Sequence, residues 1–500
     1  ASQITFKASK QFGVKIEFPW NMETLDLVKT LPGRQFHRNY PTGPCWSVPR
    51  SRTIVQHLLK WGFEIDVELT TYLNTPLPPK TNYSKPIQIN GLKGTLMPFQ
   101  DHGVVFLERK NGRALIGDEM GLGKTIQALA WLQLHPEKRP ALVVCPASLK
   151  LNWEKEIKAW MTDVSVEILS GSKPKKLTTD ISIINYDILK HWVVAFMKAS
   201  IQTVIFDECH LFKNNKAQRT KAVKAIGKSI PHIICLSGTP IINRPVEMFN
   251  AINMIQPGVL GNRWSYLNRY CGAHRNHFGW DFTGATNTEE LHDKLINSIM
   301  IRRLKKDVLK DLPDKIRSFV PIQLENFKEY KFAERDFILW VNDQKGAEAA
   351  KKASNAQALA EIETLKQLAV KGKLNQSIDW IKNMLITENK LVIFATHKFV
   401  IEELMQEFGG VAVKIDGSVN STNRQKAVDQ FQTDPECRLF IGNIKAAGVG
   451  LTLTTSKHVV FLELPWSPGD LTQAEDRCHR IGQKDTVQIH YLLAHGTIEE

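Results

Sequence analysis

No run in the sequence approaches the ~18 consecutive apolar residues that a membrane-spanning helix needs, and the polar start, Ala1 to Phe12, has no apolar signal core. Cysteine is sparse: seven in 500 residues, an odd number at long spacings, with no C-x-x-C. This argues against a disulfide scaffold or a zinc ribbon and fits scattered thiols in a reducing compartment. There is no short-period repeat and no low-complexity tail. With 43% apolar and 23% charged residues, a disordered or collagen-like chain is excluded and real cores are expected. The length fits about three domains. Lys+Arg (65) outnumber Asp+Glu (51), a balance of +14 that favours a polyanionic partner without naming one.

Residues 1–75 read as a small α+β block. Val14–Phe18 alternates like a strand, Met22–Thr30 reads as a helix ended near Pro32-Gly33, Cys45–Pro49 as a strand and Thr53–Trp61 as a helix. A proline-dense linker follows over 76–91. From 92 to 255, short apolar runs alternate with helical stretches: 114–116, 141–144, 181–184, 203–206 and 232–236. Buried strands joined by helical crossovers imply a parallel α/β sheet. Residues 256–375 read as a charged, mostly helical insertion and connection. A second α/β series fills 376–500, with strands at 391–394, 411–415, 438–441 and 458–461. The expected fold is therefore α/β: two similar parallel-sheet lobes, a helical insertion and a small N-terminal domain.

The strongest motif is Gly117-Asp118-Glu119-Met120-Gly121-Leu122-Gly123-Lys124-Thr125, after a strand and before a helix. Glycines let backbone N–H groups wrap phosphate oxygens. Lys124 is placed for β/γ-phosphate charge and the Thr125 hydroxyl for Mg²⁺. Asp118 stands where the strict phosphate-loop pattern has its first glycine. Asp207-Glu208 closes another strand: Asp207 suits Mg²⁺, and Glu208 suits orienting or deprotonating the attacking water. Together the two motifs point to ATP hydrolysis with Mg²⁺. Gln473, Arg477 and Arg480, at i, i+4 and i+7, share one helical face. There the arginines suit stabilising γ-phosphate charge; a solvated face paired with Glu475 and Asp476 is the alternative.

These pieces resemble a superfamily-two helicase core and, more narrowly, the Swi/Snf family of double-stranded-DNA translocases, whose lobes are RecA-like. The resemblance covers about residues 92–495. It rests on DEMGLGKT at 118–125, VVCPASLKLNW at 143–153, DECH at 207–210, SGTP at 237–240, IRRLKKDV at 301–308, IDGS at 415–418, KAAGVGLTL at 445–453 and QAEDRCHRIGQ at 473–483. It implies that Gln100 reads adenine, that Gly121, Gly123, Lys124, Thr125 and Gln473 bind the nucleotide, and that Asp207, Glu208, Arg477 and Arg480 complete catalysis. The implied DNA contacts are Ser148, Lys150, Trp153, Asn185 and Tyr186 in the first lobe, and Thr396, His397, Lys398 and Lys445 in the second. Residues 12–70 resemble the HARP domain of annealing helicases, which implies targeting to forks and single/double-strand junctions. Arg34, Arg38, Arg50, Arg52 and Lys60 with Trp46 are candidates for that junction face. Arg302, Lys305, Lys306 and Lys310 fall on one helical face, a basic stripe that is either solvated or turned to DNA or the lobe interface.

The expected protein is thus an intracellular, DNA-associated monomer without a membrane anchor. It uses ATP and Mg²⁺ to translocate on duplex DNA and to rewind or remodel branched DNA such as stalled forks. Single-strand-binding or replication proteins fit as partners. A nucleosome or protein–DNA remodeller, a strand-separating helicase and a DNA-binding scaffold with a degenerate ATPase are the rivals. The start at Ala1 and the end at Glu500, where the resemblance expects a further helix, suggest a trimmed chain.

Overall fold

The computed structural model describes residues 2–5, 12–31, 34–38, 43–74, 87–238, 245–276, 279–343, 351–447 and 451–500. Most of the proline-rich linker, Thr239-Pro240 of the SGTP motif, and residues 448–450 of KAAGVGLTL lie outside them. The chain divides into two compact units: residues 1–119 with 123–304, and residues 305–500 with 120–122.

The N-terminal block is α+β. Strands β1 (Ser2–Thr5), β2 (Phe12–Ile16), β3 (Gln35–His37) and β4 (Cys45–Val48) form an antiparallel sheet in the order β1-β2-β4-β3. The Met22–Thr30 and Arg52–Lys60 helices start where Asn21 and Ser51 side chains accept the Thr24 and Ile54 N–H groups, because a side-chain oxygen satisfies a donor that the first turn leaves open. Ile54, Val55 and Leu58 bury one face of the second helix against Val14, Ile16, Val28 and Val48. Trp46 and Trp61 pack on this core.

The rest of the first unit is built on a seven-stranded sheet, β13-β5-β10-β9-β6-β8-β7, parallel throughout. Its strands are β5 (Arg113–Ile116), β6 (Ala141–Cys145), β7 (Val166–Ile168), β8 (Ile181–Asn185), β9 (Thr203–Phe206), β10 (His232–Leu236) and, after the hairpin β11 (His274–Asn276) and β12 (Gly279–Asp281), β13 (Met300–Ile301). Every residue of β6, β8 and β9 is buried. Helices on both faces cover these strands, hence the unbroken apolar runs in the sequence.

The second unit has a six-stranded parallel sheet, β14-β19-β18-β15-β17-β16. Its strands are β14 (Lys315–Ile322), β15 (Leu391–Ala395), β16 (Ala412–Ile415), β17 (Leu439–Asn443), β18 (His458–Phe461) and β19 (Val487–Ala494). The stretch 256–375, expected as a charged, mostly helical insertion and connection, is not helical throughout. It holds the helices Arg263–Tyr270, Thr288–Ser298 and Phe327–Asp343 and the start of Lys351–Thr387. It also supplies β13 to the first sheet and β14 to the second, and the units part at Leu304 and Lys305. The Lys315–Ile322 strand escapes pattern reading because it is a charged edge strand, with Ile316 and Phe319 exposed. All seven cysteines are free and buried. Among the described residues no helix is long and apolar enough to cross a membrane.

Candidate nucleotide site and nucleic-acid segments

In the first sheet β5, β10 and β9 are parallel neighbours. The glycine-rich loop leaves the C-terminal end of β5, Asp207-Glu208 that of β9, and Ser237-Gly238 that of β10. Parallel strands bring such loops to one edge of a sheet, the usual place for a ligand in this fold class. Gly121 and Gly123 have φ of +86° and +74°, values that favour glycine. Gly123 precedes the Lys124–Leu134 helix, and a Cβ there would stand 2.4 Å from Gln100 Nε2. The backbone thus opens a helix N-terminus, where free N–H groups suit phosphate. Lys124 Nζ donates to the Asp118 and Glu119 carbonyls at 2.9 and 3.4 Å, so the lysine is folded back over its own loop. Thr125 follows it, half-buried. Gln100 is buried, and its Oε1 accepts the Met97 N–H at 3.0 Å.

Asp118, in the place of the missing glycine, is fully buried. Its Oδ1 accepts the Arg303 backbone N–H and Nε at 3.0 and 2.9 Å; its Oδ2 accepts Arg303 Nη2 and, at 3.0 Å, Gln127 Nε2. Arg303 Nη2 also donates to Gln127 Oε1 at 2.7 Å, and Nη1 donates to the Phe99 carbonyl. Every polar atom of this buried pair faces a partner, the condition for holding charge in a core. Arg302 Nη1 donates to the Gly117 carbonyl at 2.9 Å. The basic stripe expected over Arg302 to Lys310 therefore does not form. Only Lys305–Val308 is helical, Arg302 is tied to the loop, and Lys305 is buried on Asp476 at 3.0 Å and on the His479 carbonyl at 2.6 Å.

Asp207 is 8% exposed. Trp153 Nε1 donates to its Oδ2 at 2.9 Å, and the Glu208 N–H to its Oδ1 at 3.0 Å. The Tyr186 hydroxyl donates to its carbonyl at 2.7 Å. Burial and the neighbouring Glu208 carboxylate push the Asp207 carboxyl up, against the Trp153 N–H and the Lys124 charge. The P-loop lysine and this carboxylate therefore share one electrostatic environment. Glu208 sits at φ +47°, an uncommon conformation for a non-glycine residue that concentrates at functional sites. Its Oε2 lies 3.4 Å from His210 Nδ1.

These contacts correct three expected DNA contacts. Trp153 and Tyr186 are 1% and 2% exposed, and Asn185 is buried beside them; the two aromatic residues brace Asp207 from inside the fold. Sequence motifs give spacing but not the direction of an indole N–H. Ser148 and Lys150 are half-buried. Lys150 Nζ donates to the Leu169 carbonyl at 3.1 Å, and burial pushes its ammonium down.

In the second unit the Pro468–Glu475 helix stops before Arg477, so Gln473, Arg477 and Arg480 do not share one α-helical face. The cause is the Glu475-Asp476 pair, about 1–2% exposed. Glu475 accepts Arg317 Nε and Nη2 at 2.8 and 2.7 Å, Lys315 Nζ at 2.7 Å, and the Tyr491 hydroxyl. Burial alone would raise its carboxyl; these donors outweigh it and bring it down to about 2. Glu475 thus pairs with β14, not with the arginines that follow it. The arginines still converge: Arg477 Nη1 and Arg480 Nη1 both donate to the Leu451 carbonyl, at 3.2 and 3.1 Å. Arg477 Nε also donates to the Gln473 carbonyl at 2.9 Å. Glu463 Oε2 accepts the Thr396 and His397 N–H groups at 2.7 and 2.9 Å, and its other oxygen bonds the His397 ring. The second ring nitrogen lies 2.9 Å from Glu363. Glu463, with Glu363, holds the imidazole above its usual range. Both ring nitrogens are therefore engaged within the fold, while Lys398 and Lys445 stand exposed.

In the N-terminal block Arg50 and Arg52 face the first unit's Thr288–Ser298 helix. The Arg50 and Arg52 N–H groups donate to Asn287 Oδ1 and Glu289 Oε1 at 2.6 and 3.0 Å, and Arg52 Nε pairs with Asp293 at 3.2 Å. Both guanidinium groups lie over the Tyr72 ring. They belong to a docking seam and not to an open junction face; Arg34, Arg38 and Lys60 are exposed.

Residues 99–374 match the SNF2-related domain, and residues 372–482 the helicase conserved C-terminal domain. The human "DNA annealing helicase and endonuclease ZRANB3" is 38% identical over 430 residues, covering 82% of this chain and 39% of that protein. The chain thus spans well under half the length of that relative. A Caenorhabditis elegans "SWI/SNF-related matrix-associated actin-dependent regulator of chromatin subfamily A-like protein 1 homolog" is 34% identical over 519 residues, covering 97% of this chain and 72% of that one. Among solved structures, the "Sulfolobus solfataricus SWI2/SNF2 ATPase core in complex with dsDNA" aligns with a TM-score of 0.42 at 24% identity, over 83% of this chain and 91% of that one. With the SNF2 match spanning more than half of its length, the chain belongs to the SNF2-related family.

Proposed function

We propose that this protein is a DNA-dependent ATPase that translocates on duplex DNA and anneals or remodels branched DNA. One observation carries the reading: the phosphate loop, the Asp207-Glu208 pair and the Ser237-Gly238 segment leave three adjacent parallel strands at one edge of the first sheet. The residues fit ATP and Mg²⁺. Two positive-φ glycines open a helix N-terminus beside Lys124, and a hydroxyl and a carboxylate are the hard oxygen donors that Mg²⁺ takes, with phosphate completing its shell. Lys124 and the loop N–H groups would hold phosphate, Thr125 and Asp207 the metal, Gln100 and Gln473 the nucleotide. When bound, the metal neutralises charge that builds on the phosphates. Glu208 orients the attacking water or takes its proton. Arg477 and Arg480 supply positive charge from the second unit at the moment of transfer. Ser148, Lys150, Lys398 and Lys445 grip the DNA backbone, a contact that tolerates any sequence.

The human relative, named as a DNA annealing helicase, supports the annealing reading, and the N-terminal block supports a HARP-like role in junction targeting. Steady-state ATPase rates without DNA, and with single strands, blunt duplex and forked duplex, test this. The expected result is strong stimulation, highest on forks, with the fork preference lost when residues 1–75 are removed and all activity lost in Lys124→Ala. Equal stimulation by blunt duplex removes the junction role. No hydrolysis on any DNA removes the ATPase.

A further inference from the structure

We infer that the buried Asp118–Arg303 pair is a coupling strut that ties the phosphate loop to the chain segment leading into the second unit. The inference rests on the translocase reading above and assigns a positioning role to both residues.

β13 runs parallel beside β5, Met300 opposite Leu115 and Ile301 opposite Ile116. The pairing continues past the strands: the Gly117 N–H donates to the Ile301 carbonyl at 2.7 Å and the Glu119 N–H to the Arg303 carbonyl at 2.9 Å. The first leg of the phosphate loop and the exit segment are therefore one ladder. Both legs pass into the second unit within two residues of this point, at Glu119–Met120 and at Leu304–Lys305. The side chains then lock the ladder's end. The Asp118 carboxylate takes three donors from Arg303 and one from Gln127. The Arg303 guanidinium extends the lock to the Phe99 carbonyl, one residue before Gln100.

The same aspartate touches the catalytic lysine through its main chain, since Lys124 Nζ donates to the Asp118 and Glu119 carbonyls. When Lys124 turns to phosphate it gives up these two carbonyls. A glycine at position 118, as in the strict loop pattern, would leave the loop without a side chain to pass that change on. Asp118 passes it to Arg303, and Arg303 to the segment Leu304–Lys305. A buried, fully bonded ion pair suits this use, because it has few alternative arrangements and moves as a unit. Gly103 packs against this cluster: a Cβ there would lie 1.8 Å from Gln127 Oε1 and 3.0 Å from Arg303 Nη2.

The test measures two rates on the same full chain: ATP hydrolysed, and third strand displaced from a DNA triplex, a direct readout of translocation. Their ratio is the coupling. In Arg303→Gln the ratio falls by about 5-fold or more, the lower end of typical coupling between sites. In Arg303→Lys, which keeps the charge but not the forked geometry, it falls by about twofold. A merely structural role lowers both rates in proportion and leaves the ratio unchanged, which overturns the strut. If Arg303→Gln does not fold, Arg303→Lys alone decides by the same criterion. A wild-type chain that hydrolyses ATP on duplex DNA yet displaces no third strand overturns the translocase reading, and the strut with it. A displacing wild type with unchanged ratios in the variants overturns the strut alone.

Discussion

The two units hold their candidate functional groups differently. In the first, the functional groups come from three loops at one sheet edge, and each is braced by neighbours within the unit: Lys124 by its own loop, Asp118 by Arg303, Asp207 by Trp153 and Tyr186. In the second, Arg477 and Arg480 follow a helix end and rest on one backbone carbonyl, Leu451. Their position depends on Glu475, held by a strand that begins about 160 residues earlier in sequence. The first unit is preorganised for holding a nucleotide. The second holds two cations on one carbonyl, beside an ion-pair anchor.

The sharpest way to break this comparison is to remove a cation from each unit. Arg480→Ala is expected to lower DNA-stimulated turnover by about 10³-fold, the lower end of the range for such arginines, while nucleotide affinity stays near wild type. Lys124→Ala is expected to lower turnover by at least about 10²-fold and to weaken nucleotide binding as well. Fluorescent-nucleotide titration beside steady-state rates checks both; equal binding losses would erase the contrast.

The anchor can be probed through pH. Glu475 is depressed to about 2 in the fold, so its contribution is fully present above its ordinary value of about 4.5 and fades as pH falls toward 2. The shift corresponds to about 3 kcal/mol at most. Glu475→Gln should therefore be less stable than wild type by up to that amount at pH 7, with the gap narrowing below pH 4.5. Urea unfolding at several pH values measures it; a gap independent of pH would contradict the assignment.

The smallest effects concern the braces of Asp207. Trp153→Phe keeps the buried ring but removes the indole N–H. A hydrogen bond to a charged group is worth about 1.5–3 kcal/mol, and the Mg²⁺ concentration needed for half-maximal activity should rise. Tyr186→Phe should cost about 1 kcal/mol and raise the Mg²⁺ requirement less. If both variants left Mg²⁺ dependence unchanged, the two aromatics would be packing residues only.

Much of this was legible in the sequence where one face of an element is fully buried. β9, β10 and β18 coincide with their apolar runs, and Met22–Thr30 is helical as its pattern implies. Edge elements were not legible. β13 is two residues long, and β14 opens with Lys315 and Arg317 and leaves Ile316 and Phe319 exposed, so neither shows an unbroken buried run. The order of the catalytic motifs could be read from composition and spacing, but their side-chain partners could not. Arg303 carries no burial signal in the sequence, because a doublet of arginines looks like a basic surface. The signal was the aspartate in a glycine's place, a charge that burial obliges to find a partner. Helix periodicity failed at Arg477 because Glu475 and Asp476 point inward to cations on other elements, contacts that no local window contains.

We propose that hydrolysis needs Lys124 and Asp207 of the first unit and Arg480 of the second, under the control of DNA. Single-turnover hydrolysis of pre-bound ATP, with and without duplex DNA, tests it most directly in wild type and Arg480→Ala. The account predicts that DNA accelerates the wild type while Arg480→Ala stays at the DNA-free rate with nucleotide still bound. Equal acceleration of both proteins by DNA would contradict it.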